Sequence, residues 1–266
     1  MNDELNQNNN KKKTIIHPSI NGMLGIISFS TRIPVNRYIT IEEMAGSVIT
    51  WPFIGLAIGC VGAIVTFLLK DALHLTPLLI ATLIYCFLIW FTGFNHLDGV
   101  LDMGDGLMAH GDAQRRLEIM RDSMVGTGGI ATFFIVASIT IAALSSINTQ
   151  HIIYAVLLME MYSKLAMITT FLVGDNDSKG IGREIKIGMD YKVLLIDSVI
   201  VALIGYIFLG IPGVIATIAA VCTGFAMSIM AQKNFGCVTG DIMGATNEIA
   251  RAVALIFIII SFNLII

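Results

Sequence analysis

The chain has 266 residues, of which 56% are hydrophobic and 13% charged. A soluble domain carries roughly a quarter charged residues, so this apolar excess is too large for one globular core and points to lipid as the solvent. The net charge of −3 excludes the basic field of a nucleic-acid binder.

In chain order, residues 1–13, "MNDELNQNNNKKK", form a polar, low-complexity stretch that reads as a disordered tail. The next apolar segment is interrupted by His17, Pro18, Asn21 and Arg32 and lacks a small-residue cleavage site. It reads as a surface-lying or shallowly buried helix, with a first membrane span as the alternative. A helix needs about 20 apolar residues to cross a bilayer. Runs of that kind cover residues 48–69, 77–94, 125–147, 152–173, 193–210, 213–231 and 249–266. No internal repeat is detectable. Residues 14–266 are therefore expected to form one all-α domain, a polytopic membrane bundle of about seven transmembrane helices plus short interface helices. Cys60, Cys86, Cys222 and Cys237 have neither zinc nor disulfide spacing and read as small apolar fillers.

Basic residues fall on alternate connections unevenly. One side receives Lys11 to Arg37, Arg115, Arg116, Arg121, Lys179 to Lys192, Lys233 and Arg251, whereas the other receives Lys70. The richer side is expected to face the cytoplasm from the cell membrane. Glu42, Glu43, the loop 98–122 and the stretch from Asp241 to Glu248 lie on that side too, an acidic gathering expected of an active site.

Its centre is "HLDGVLDMGDG", residues 96–106. On a helix, spacings of four and three place Asp98, Asp102 and Asp105 on one stripe. Clustered carboxylates repel unless a cation joins them, and Mg²⁺ prefers oxygen ligands shared with phosphate. The stripe thus suggests metal-assisted phosphoryl transfer, with Gly99, Gly104 and Gly106 letting backbone approach a bulky phosphate ester. A solvated loop with helix-capping aspartates, as Asp112 would cap 113–121, is the plainer reading. His96 is the titrating base nearest the stripe in sequence, or else a hydrogen-bond partner of a carboxylate. Arg115, Arg116 and Arg121 lie on a short amphipathic helix and suit phosphate or lipid headgroups, with Asp122 at its end. Asp241 and Glu248, seven residues apart, share a helix face and extend the candidate metal set, and Asn247 lies beside them. Glu160 and Lys164 have the spacing of an intrahelical ion pair inside a span.

Three segments in order, "FNHLDGVLDMGDG", "RRLEIMRDSMVGTGG" and "FGCVTGDIMGATNEIAR", with "TRIPV" and "WPFIGLAIG" before them, resemble the cobalamin synthase family of adenosylcobinamide-GDP ribazoletransferases. Where that family has a second glycine ahead of the motif, this chain has Phe94 after Gly93, and Lys164 stands where an arginine is usual. The resemblance implies a transferase that joins adenosylcobinamide-GDP to α-ribazole or its 5′-phosphate and releases GMP. It implies catalysis at His96, Asp98, Asp102 and Asp105. Substrate contacts would come from Arg115, Arg116, Asp122, Lys164 and Asn247. Mg²⁺ would be held among Asp98, Asp102, Asp105, Asp241 and Glu248. The partners are then these small molecules and the lipid bilayer, with no nucleic acid, and a homo-oligomer stays open. The Asp-Gly-x-x-x-Asp spacing is also similar to CDP-alcohol phosphotransferases, whose fuller pattern is absent. A secondary transporter would fit the intramembrane carboxylates, though not the lack of two related halves.

Overall fold

Lipid offers a polar backbone no partner, so long apolar runs satisfy their N–H and C=O groups internally as helices. The computed structural model describes residues 18–175, 186 and 190–265, and no strand forms among them. The expected tail over 1–13 and most of the polar loop 174–185 lie outside those residues.

The helices are α1 (Ile20–Ser30), α2 (Ile41–Gly46), α3 (Trp51–Phe67), α4 (Pro77–Phe91), α5 (Asn95–Met108) and α6 (Ala113–Met120). They continue as α7 (Thr127–Ser146), α8 (Ile152–Val173), α9 (Tyr191–Leu209), α10 (Ile211–Phe235) and α11 (Gly240–Ile265). A 3₁₀ turn at Val48–Thr50 leads into α3 and a π turn at Leu68–Ala72 ends it. Among the described residues six helices are long and apolar enough to cross a membrane, and α4 with α5 makes a seventh if that bent pair is one span. The expected span at 152–173 coincides with α8. The last span differs most. It starts at Gly240, so "GDIMGATNE" forms its opening turns and not a loop before it.

α1 has 11 residues, about 17 Å of helix, too short to cross a bilayer. It lies against α2 and does not form the alternative first span. Asn21 donates to Glu43 at 3.2 Å, and Thr40 with Glu43 closes a reciprocal cap at the start of α2. The Thr40 N–H, helped by Asn21, holds the Glu43 carboxyl below the ordinary carboxylate range.

α8 is the hub of the bundle, buried along nearly its whole length and packed by α3, α9, α10 and α11. Small residues allow this. Gly55 and Gly59 of α3 face the Glu160 and Leu157 carbonyls, and Gly224 of α10 faces the Ala166 carbonyl, so side chains there would separate the backbones. Away from the hub, α9 turns Leu195, Val199, Leu203 and Ile207 outward, as a lipid-facing surface requires.

Between α4 and α5 the chain bends by 96°. Gly93 (φ 80°) and Phe94 (φ 66°) both take the left-handed conformation that makes this corner. The Arg32 N–H bonds the Phe91 carbonyl at 2.9 Å, and the Arg32 guanidinium lies 5.1 Å from the Trp90 ring centre. A left-handed backbone costs a residue with a Cβ about 1–2 kcal/mol, a strain that glycine escapes. Phe94→Gly should therefore be about 1 kcal/mol more stable than Phe94→Ala in thermal unfolding, since both remove the ring and only glycine relieves the backbone. Equal midpoints would mean that the corner stores no strain.

Candidate active site

α5 presents two different faces. Asp98, exposed, and Asp102 and Asp105, half-buried, lie along one; Gly99, Val100, Met103 and Gly106 are buried. The three glycines serve packing, contrary to the expectation that they admit a ligand. Gly99 is pressed on the Asp241 carbonyl of α11, Gly104 on Thr132 and the Gly128 carbonyl of α7, and Gly106 on Phe235 and the Arg116 carbonyl. One result is that Asp241 joins the stripe from a neighbouring helix: Asp98, Asp241 and Asp105 all act electrostatically on Asp102. Asp241 is further held by Thr239 at 3.4 Å.

Asp105 has a further task. Its two carboxylate oxygens accept the backbone N–H groups of Gly126 at 2.7 Å and Gly129 at 2.8 Å, satisfying orphan donors at the start of α7. It ties α5 to α7 and leaves Asp98, Asp102 and Asp241 as the carboxylates less committed to backbone.

His96 does not face the stripe. Two positions along a helix rotate a side chain by about 200°, so His96 points away from Asp98. It is 3% exposed, and among the described residues neither ring nitrogen has a hydrogen-bond partner. The charges acting on it are those of Lys164 and Arg251 in the bundle interior. Neither a base at the stripe nor a carboxylate-bonded histidine describes this placement.

Glu248, Asn247 and Lys164, assigned from sequence to metal and substrate, are instead enclosed and bonded to one another. Lys164 lies 3.5 Å from Glu160 and donates to Asn247 at 2.6 Å. Asn247 donates to Glu248 at 3.1 Å, and the Tyr85 hydroxyl to Glu248 at 3.2 Å. Arg251 pairs with Glu160 at 2.7 Å and with Glu248 at 2.6 Å. Two carboxylates and two cations cancel, as burial in low dielectric demands. Glu248 is thus saturated by Arg251, Tyr85 and Asn247 and is not a ligand beside Asp241, which lies about two helical turns nearer the rim. Arg251, counted from sequence among surface cations, is fully buried. Asp197, not anticipated from the sequence, is buried in α9 with no hydrogen-bond partner for either oxygen among the described residues. A lone charged residue within an apolar run is the available signal for Asp197 as for Arg251.

On α6, Asp112 caps the helix by accepting the Arg115 N–H at 2.9 Å, as expected. Arg115 pairs with Glu118 at 3.3 Å on the exposed face. Arg116 donates to Asn234 at 2.8 Å and braces α6 on α10. Asp122, exposed, accepts the Met124 N–H at 3.1 Å in the following turn. Among the described residues no three His, Cys, Asp or Glu side chains stand close enough to form a ready-made metal cage. The donor set at the rim is all oxygen, which suits Mg²⁺ held by one or two carboxylates together with substrate phosphate.

Comparison with known proteins matches residues 22–259 to the family described as cobalamin-5-phosphate synthase. A Thermococcus kodakarensis protein named adenosylcobinamide-GDP ribazoletransferase is 32% identical, covering 88% of this chain and 96% of its own. One of that name from Picrophilus torridus is 32% identical over 92% of this chain and 99% of its own. Another from Methanosarcina mazei is 29% identical over 89% and 90%. No solved structure matches the chain.

Removing one member of a buried ion-pair network typically costs about 3 kcal/mol or more. Glu160→Gln should show a loss of that size in thermal unfolding of detergent-purified protein. Asp98→Asn, at an exposed position, should cost less than about 0.5 kcal/mol. Equal, small losses would show that the network does not hold α8 to α11.

Proposed function

This chain belongs to the cobalamin-5-phosphate synthase family, and on that premise we propose that it is a membrane-embedded adenosylcobinamide-GDP ribazoletransferase. It joins adenosylcobinamide-GDP to α-ribazole or its 5′-phosphate, giving adenosylcobalamin or its phosphate and GMP. The observation that carries this reading is the convergence of Asp98, Asp102 and Asp241, from two helices, at one end of an apolar bundle. The asymmetry of basic residues supports a cytoplasmic location for that end.

In the reaction a ribose hydroxyl oxygen of α-ribazole bonds to the phosphorus on the cobinamide side of the pyrophosphate. The bond from that phosphorus to the bridging oxygen breaks, and GMP leaves with the electron pair. One or two of Asp98, Asp102 and Asp241 would hold Mg²⁺ together with the substrate's phosphate oxygens, and the ion bound there would supply charge neutralisation for the pyrophosphate and its leaving group. Asp105 fixes α5 against α7, so the stripe is held rigid through backbone donors. The inner network fixes α11 on α8 and so keeps Asp241 in register with Asp98. His96 faces the interior, and the hydroxyl proton therefore passes to a carboxylate of the stripe.

The test is GMP release from adenosylcobinamide-GDP and α-ribazole by detergent-purified protein. Release should require both substrates and Mg²⁺ and stop on chelation. Asp98→Asn and Asp102→Asn should each lower turnover about 100-fold or more while the protein stays folded. His96→Gln should keep turnover within about tenfold of wild type, because a group not in proton transfer forfeits none of that factor. A pure, folded protein that releases no GMP would sink the assignment. A His96→Gln loss of several orders of magnitude, with the acidic limb of the pH profile removed, would return the base role to histidine.

A further inference from the structure

The turn between α10 and α11 meets α5 at two places. Where it begins, the Phe235 ring lies on Gly106, and where it ends, the Asp241 carbonyl lies on Gly99. Seven residues of helix separate those glycines, about 10 Å along α5. Asp98 precedes the first glycine and Asp105 the second, so the turn spans the length of the acidic stripe. Within it, Gly236 closes α10 in the left-handed conformation (φ 76°), and the Thr239 hydroxyl accepts the Ile242 N–H at 3.3 Å as α11 opens. The inner network pins α11 only from Glu248 onward, and the two turns that carry Asp241 lie beyond that pin.

Two bonds reach the turn from outside. The Val238 N–H donates to the Asp175 carbonyl at 2.7 Å. At the other end Arg116 of α6 donates to the Asn234 side-chain oxygen at 2.8 Å, while the Asn234 amide nitrogen donates to the Met230 carbonyl at 2.9 Å. Asn234 is therefore held on both sides, and its oxygen is aimed at the guanidinium. Arg116 is seated too, because its own carbonyl and Met120 lie on Gly106, the glycine that also carries Phe235. Its charge strengthens the bond to the amide. Resting on the transferase reading above, we propose that Arg116 is a positioning residue: through Asn234 it holds the α10–α11 turn down on α5 and so keeps Asp241 beside Asp98. On this assignment the guanidinium serves the alignment of the carboxylates and does not touch the pyrophosphate.

Amide hydrogen exchange of the full-length protein in detergent, without substrate or metal, reads the turn directly. Arg116→Met keeps the apolar stem and removes the donor. It should speed exchange about tenfold over residues 238–244 and leave α11 from Glu248 onward unchanged. Asn234→Ala should do the same, and the double variant should add little, since both act through one bond. Asn234→Asp keeps the accepting oxygen and should exchange like wild type. Lys233→Gln, exposed beside the pair, controls for the loss of a charge and should change nothing. In GMP release, Arg116→Met and Asn234→Ala should each lower kcat about tenfold or more, the scale of a displaced reacting group, with KM for adenosylcobinamide-GDP unmoved. Unchanged exchange over residues 238–244 in Arg116→Met would overturn the proposal. So would exchange that is faster throughout the chain in both single variants, the mark of a general loss of structure. A raised KM for adenosylcobinamide-GDP in Arg116→Met that Asn234→Ala does not share would overturn it as well and give Arg116 to the phosphate. Wild-type protein that releases no GMP counts against the transferase reading and leaves the exchange comparison valid.

Discussion

Glu160, Lys164, Glu248 and Arg251 depend on one another, because the interior of the bundle gives none of them water. An unpaired charge in that setting costs several kcal/mol, so each must find its opposite at bonding distance. The pairing spans α8 and α11 and sets how far α11 is inserted along the hub and how it is rotated about its axis. Hydrophobic contact alone cannot do this between membrane helices, since lipid tails are as apolar as leucine. The active end inherits that alignment, because Asp241 rides on the same helix as Glu248 and Arg251.

The acidic end is then assembled by close backbone approach. α5 is short, bent away from α4, and carries glycines toward α6, α7 and α11. Two of these glycines let a neighbour come near enough to place a polar group beside the stripe: Asp241 from α11, and the Gly126 and Gly129 amides from α7. Electrostatics and packing are thus solved by the same residues.

Much of this was legible in the sequence. Apolar run length announced the spans, since the bilayer imposes it, and α8 falls where the run predicts. The Asp98, Asp102 and Asp105 spacing announced a shared face because helical periodicity alone decides it. What could not be read was partnership between helices. The start of α11 looked like a loop because Asp241, Asn247 and Glu248 dilute its hydrophobicity, yet two of the three are buried by partners distant in the chain. His96 sits two residues from Asp98 in sequence, and nearness along the chain was mistaken for nearness in space. The same periodicity that joined the aspartates should have set it apart. Asp105 as an α7 anchor was beyond reach from sequence, since its partners are backbone amides.

Gly99 is packed against the first turns of α11, and through that contact its identity is tied to chemistry. A side chain there would push on the Asp241 carbonyl and displace the first turn of α11, while the same helix stays pinned at Glu248 and Arg251, further along, by its ion pairs. The two segments are therefore coupled as heritable units. Drift at position 99 is tolerable only with a matching change near position 241, and a lineage that altered one alone would lose the alignment of its carboxylates before it lost its fold.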